Sequence, residues 1–361
     1  VTAPSDPVDW TVADAIGSGL VPAGPTGSRD ELAAHVALLR SAAQDAVPHV
    51  LRVTGMTPAD GRDTSAPGAL SEVLVVDRAS WVRAAAGTAR SLLPDLAPSG
   101  SRPGALARAA GGAEIGGGLA LLSTRILGQF DPFAPAPGRL LLVAPNILGV
   151  QRALGAPARD FALWVCLHEQ THALQLAAAP WLADHLRARV ATLFDDVART
   201  GREHGEGSVP ARLRSWWQAA ERFVAAGREA SLTDRVLTPA QREVVAEVGA
   251  VMALLEGHAD VMMDAVGPSI VPSVDEIRRG FDARRRSATG LARQVGRLLG
   301  VEEKLAQYTD GAAFVRAVRR AHGDDALNVV WEAPEHLPTA REIHDPAAWS
   351  RRVGLGGRSR A

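Results

Sequence analysis

The sequence predicts a helix-dominated α+β protein with one small sheet. Three observations carry this: capped segments with apolar residues at helical spacing fill most of the chain, only two short runs (EVLVVDR and GRLLLVAPNIL) are β-rich, and no repeat divides the sequence. No linker is strong enough to separate independent units. The expectation is therefore a single domain over residues 1–352, with a cleft between an N-terminal part, to about residue 200, and a helical C-terminal part. Residues 353–361 read as a disordered tail.

The elements follow in order. SRDELAAHVALLRSAAQDA opens with Ser28 and Glu31 in capping-box spacing, Pro48 is expected to kink or restart the helix, and Thr54-Gly55 ends it. EVLVVDR is a strand and ASWVRAAAGTARSLL a helix, with the loop DLAPSGSRPG after it. ALARAAGGAEIGGGLALLSTRILGQF reads as one long helix whose glycines serve close helix packing, since no Lys-Ser/Thr follows them to make a phosphate loop. GRLLLVAPNIL, residues 138–148, is the best strand, and its proline argues for an edge strand or a strand end. The helix containing His168 and His172 stops near Pro180, and WLADHLRARVATLFDDVART continues as helix. GREHGEGSVP is a loop, with Trp216 and Trp217 in a helix beyond it. Thr238, Pro239 and Gln241 cap a long helix that Gly267-Pro268 stops. Helix continues to about residue 322, followed by an irregular, Pro-rich end.

Composition narrows the function. A formal net charge of −1 and the lack of a basic stripe argue against nucleic acid. No apolar run nears the ~20 residues of a membrane span, and VTAPSDPVDW lacks the features of a signal peptide. Cys166 is the only cysteine, which excludes an internal disulfide or a thiolate cluster and fits a cytoplasmic setting. The sequence leaves the oligomeric state open.

The chemistry lies in FALWVCLHEQTHALQLAAAPWL, residues 161–182, where polar groups interrupt an apolar helix. Residues four apart share a helix face, so His168 and His172 can place two imidazole nitrogens on one Zn2+ ion. Glu169, about 100° around the helix, stands beside the metal as general base. A catalytic zinc needs a third protein ligand. The metzincin arrangement would require a glycine at 175 and a histidine at 178, but Gln175 and Ala178 stand there. LLEGHAD offers Glu256, His258 and Asp260 instead. Glu256 and Asp260 share a face, with His258 some 200° away from Glu256. Glu256 is favoured as the ligand, with Asp260 accepting from a ligand histidine's other N–H and His258 as the competitor. This E-x-x-x-D pattern resembles the second metal helix of gluzincin peptidases.

GRLLLVAPNI, FALWVCLHEQTHALQLAAAPWLADHL, LLEGHADVMMD, EEKLAQYTDG and NVVWEAPEHLPTAREIHDPAAW resemble an actinobacterial zincin-like hydrolase family, sometimes associated with deazaflavin-cofactor biosynthesis. The similarity runs over most of the chain. It implies a zincin-like metallopeptidase fold with a small sheet beside the HExxH helix. The function expected is zinc-dependent hydrolysis of a peptide or other small amide. The alternative is a catalytically silent zinc-bearing scaffold or ligand-binding protein tied to deazaflavin synthesis. The strand at 139–146 is expected to line the cleft, with Asn146 binding substrate. Tyr308, the only tyrosine, is the expected oxyanion donor, with His322, His336 and His344 competing.

Overall fold

The computed structural model describes residues 8–92, 104–203, 238–287 and 301–355, and for 194–203, 284–287 and 301–309 the backbone alone. The expected loop after Leu92, the loop and the Trp216–Trp217 helix after Glu203, and the tail from 356 lie outside the described residues.

The chain begins with α1 (Trp10–Leu20) and α2 (Arg29–Thr54). The Ser28–Glu31 capping box starts α2, which runs through Pro48 as one helix and ends at Gly55 in the left-handed conformation. Strand β1 (Glu72–Val76) leads into α3 (Arg78–Leu92). Next come α4 (Ala105–Ser123), β2 (Gly128–Asp131), β3 (Arg139–Val143) and α5 (Ala144–Leu154). The long central helices are α6 (Ala158–Ala178) and α7 (Trp181–Glu203). The C-terminal part holds α8 (Pro239–Ala265), α9 (Val274–Ser287) and α10 (Val301–His322). Three short helices follow, α11 (Asp324–Asn328), α12 (Ala340–His344) and α13 (Pro346–Arg352), where an irregular end was expected. No helix among the described residues is long and apolar enough to cross a membrane.

The sheet corrects two expectations. Its order is β1-β3-β2, with β1 parallel and β2 antiparallel to β3, so 139–143 is the central strand and not an edge. Of the two readings of its proline, the strand end is the one the structure bears out: β3 stops at Val143, and Pro145 occupies the first turn of α5, where a missing N–H costs no bond. The edge nearest α6 is β2, formed by GQFD at the end of what reads as helix. Gly-Gln-Phe-Asp has no branched residue to announce a strand, and pairing with the apolar β3 makes it one.

Small residues let helices touch. On α4, a Cβ at Gly116 would lie 2.4 Å from the Ala13 carbonyl oxygen, which is the close packing expected of this glycine-rich helix. The same device joins α8 to α10, since a Cβ at Gly311 would lie 1.8 Å from the Ala253 oxygen. The principal core runs from Leu39 and Val50 of α2 through α6 and α8 to Phe314 and Trp349.

A candidate metal centre between two helices

Helix α6 packs against α2, α8 and β2, which explains its apolar composition. Between Phe161 and Ala177 only His168, His172 and Leu176 escape full burial. They recur every fourth residue, forming a single stripe. The two histidines thus lie where the helix is least buried, and the cost of desolvating them falls accordingly.

Opposite this stripe, α8 presents Glu256. The Nε2 atoms of His168 and His172 are 3.2 Å apart, and Oε2 of Glu256 lies 3.5 Å from the first and 3.6 Å from the second. Tetrahedral ligands at the usual zinc distances stand about 3.3 Å from one another, so the triangle fits an ion of this kind. A second observation agrees: Glu256 Oε2 is buried without a hydrogen-bond partner. Two imidazole nitrogens and a carboxylate oxygen form a donor set suited to zinc.

The electrostatics show how tightly the group is coupled. Burial pushes the Glu256 carboxyl up, but the two imidazoles outweigh it and hold it well below the usual carboxylate range. Burial pulls His172 down, while Glu256, Glu169 and Gln175 together raise it to about 9. His258 is fully buried, and desolvation, aided by Arg319 and His172, lowers it to about 3. It is a neutral core histidine packed edge-on against Trp331, with ring centroids 5.2 Å apart. Of the two candidates on α8, Glu256 stands beside the histidine pair and His258 points away.

Glu169 is buried and its carboxyl group lies over β2. A Cβ at Gly128 would come within 2.6 Å of Glu169 Cγ and 2.8 Å of its Oε1, so only glycine leaves this carboxylate its place. The sequence reading missed Gly128 because it missed β2. It also passed over Gln175, whose Oε1 lies 2.9 Å from His172 Nδ1. Its position three residues after His172, on the same helix face, was the available signal.

Two expectations are corrected. Asp260 does not pair with His172, whose Nδ1 contacts Gln175; its Oδ1 is instead 2.5 Å from Arg278, and Arg316 lies 3.8 Å from its other oxygen. An aspartate one turn beyond Glu256 faces these arginines, and Asp264 pairs with both of them as well. Asn146 is buried, donating 2.6 Å bonds to the Ser123 and Ile126 carbonyls and accepting from Arg78 at 2.7 Å. These bonds tie α5 to the end of α4 and engage both ends of the amide, so the contacts of Asn146 are those of a residue that holds the fold. Tyr308 lies on α10, one turn before Gly311, with its side chain outside the described residues. His322 and His344 are exposed, and His336 Nδ1 contacts the Val329 carbonyl.

A helix-dominated fold with a small sheet beside an HExxH helix, and a His-His-Glu group that could hold a metal ion, is the arrangement of a zincin-like protein. The chain belongs to the family described as Zincin-like metallopeptidase, which matches residues 8–350. It is also similar to a protein of known structure from Chloroflexus aurantiacus, described as a candidate hydrolase with a novel fold. The two are 29% identical with a TM-score of 0.61, over 98% of this chain and 99% of that one. No curated protein matches the chain.

Proposed function

We propose that the protein is a zinc-dependent hydrolase of peptide or other small amide bonds. The observation that supports this best is the His168–His172–Glu256 triangle with the buried Glu169 next to it in the chain. His168 and His172 would hold the metal through Nε2, and Glu256 through Oε2. A zinc ion bound there supplies a Lewis acid for a substrate carbonyl and makes water more acidic. The chain's own groups do the rest. Glu169 takes a proton from the attacking water and returns it to the leaving amine, ending the cycle as it began. Gly128 keeps the space that this carboxylate needs. Both sides of β3 are occupied, which leaves β1 and β2 as edges, and β2, packed against the HExxH helix α6, is the one an extended substrate would join. Tyr308, one turn from the point where α10 touches Gly257, is the candidate donor to the tetrahedral oxyanion.

Zinc content and turnover of a peptide and amide library test this reading. Glu169→Gln retains zinc while hydrolysis falls by about 10²–10⁴-fold. Tyr308→Phe also keeps zinc and lowers turnover by about 10²-fold. Unchanged hydrolysis in Glu169→Gln removes its role as base. Zinc held with no turnover of any amide favours the scaffold reading instead.

A further inference from the structure

We infer that Gln175, itself oriented by α8, is a positioning residue that fixes which nitrogen of His172 faces the metal. The inference rests on the metal-centre reading above and adds a determinant outside the ligand set. Gln175 is fully buried and makes three polar contacts: Leu255 O at 2.9 Å, His258 Nδ1 at 3.0 Å and His172 Nδ1 at 2.9 Å. The Leu255 carbonyl can only accept, so the amide atom facing it is the nitrogen. The amide oxygen therefore faces His172, and His172 Nδ1 carries the hydrogen. In the neutral ring, the form that can bind a metal, Nε2 is left with a bare lone pair, and this atom lies 3.2 Å from His168 Nε2 and 3.6 Å from Glu256 Oε2. The second amide hydrogen points at His258 Nδ1, which accepts it, placing the His258 proton on Nε2.

The chemistry also explains why residue 175 is an amide. A carboxylate would accept from His172 equally well but could give nothing to Leu255 O or His258. His258 Nδ1 would then lose its donor, and Leu255 O the one it has besides its helical N–H, at a cost to the fold. One glutamine satisfies an imidazole N–H on α6, a backbone carbonyl on α8 and an imidazole lone pair on α8. It thus joins the two helices that carry the metal ligands and fixes the tautomer of one of them.

This assigns opposite orders to stability and metal affinity. Gln175→Met keeps the size of the side chain and loses the acceptor, so zinc affinity, measured by competition with a chelator, falls about 10–100-fold. Gln175→Glu keeps the acceptor, so it binds zinc within a few-fold of wild type although its metal-free form melts lower than that of Gln175→Met. A purely structural role would rank both properties alike, with Glu the worse. Long-range ¹⁵N–¹H spectra of the zinc-loaded wild type give a reading that needs no variant: His172 is protonated at Nδ1 and His258 at Nε2. Wild-type affinity in folded Gln175→Met, or a proton on His258 Nδ1, overturns the assignment while leaving the metal centre standing. A wild-type protein that takes up no zinc overturns both.

Discussion

His168 and His172 are one turn apart on α6, so the helix itself places the two imidazoles side by side, with their Nε2 atoms 3.2 Å apart. Glu256 reaches the same point differently. It comes from α8, and its position depends on how that helix docks against α6 on one side and α10 on the other. Next to Glu256 in sequence, Gly257 meets α10 with almost no space: a Cβ there would stand 2.2 Å from the Gly311 carbonyl carbon. The lesson is that the centre has one half set locally and another half set by packing. Perturbations far from the ligands should therefore act through Glu256 and spare the histidine pair.

The largest effect breaks the local half. His168→Ala removes a ligand outright, and zinc affinity should fall by more than the about 10–100-fold typical of an outer partner; stoichiometric zinc in the purified variant would refute the assignment. Gly128→Ala sharpens the comparison from the sheet side. The new Cβ displaces the Glu169 carboxyl, so hydrolysis should drop by up to about 10²-fold with zinc retained. Equal activity would place Glu169 outside the chemistry. Gly311→Ala tests the packed half, because its Cβ has no room beside the Ala253 carbonyl and must push α8 and α10 apart. A loss of about 1–3 kcal/mol in stability is expected, with weaker zinc binding although no ligand has changed. Parent-like zinc affinity in a destabilised variant would show that Glu256 does not depend on this crossing.

The smallest effect is expected at a clamp that touches no ligand. Arg352 donates to both oxygens of Glu342, at 2.7 and 2.8 Å, and holds this carboxyl below its ordinary value. A depressed carboxyl stabilises the fold at pH above its unfolded value of about 4.3, and the contribution disappears as the pH falls through the folded value. Glu342→Gln should therefore lower the melting temperature at neutral pH, with the gap to the parent closing in acid. Arg352 is partly exposed, so the difference stays within about 1 kcal/mol. A gap that persists in acid would mean that the charge is not what matters.

Much of this was legible along the chain. The capping boxes at Ser28 and Thr238 marked the starts of α2 and α8, because a cap is a contact among four consecutive residues. The pairing of His168 with His172 was legible for the same reason. Helical phase could separate Glu256 from His258 but could not say which would meet the histidines. Asp260 and Asn146 were misjudged because their partners, Arg278, Arg78 and two distant carbonyls, adjoin them only after folding. β2 escaped notice because four residues without branched side chains carry no strand signal of their own.

The sequence by itself determined the long helices, the caps of α2 and α8 and the two imidazoles on one face, since each depends on hydrogen bonds and spacing within a few residues. The tertiary structure decided the rest: which strand is the edge, that Glu256 and not His258 stands at the histidine pair, and that Gln175 bridges α6 to α8. These choices depend on contacts between residues far apart in the chain, and no local pattern records such contacts.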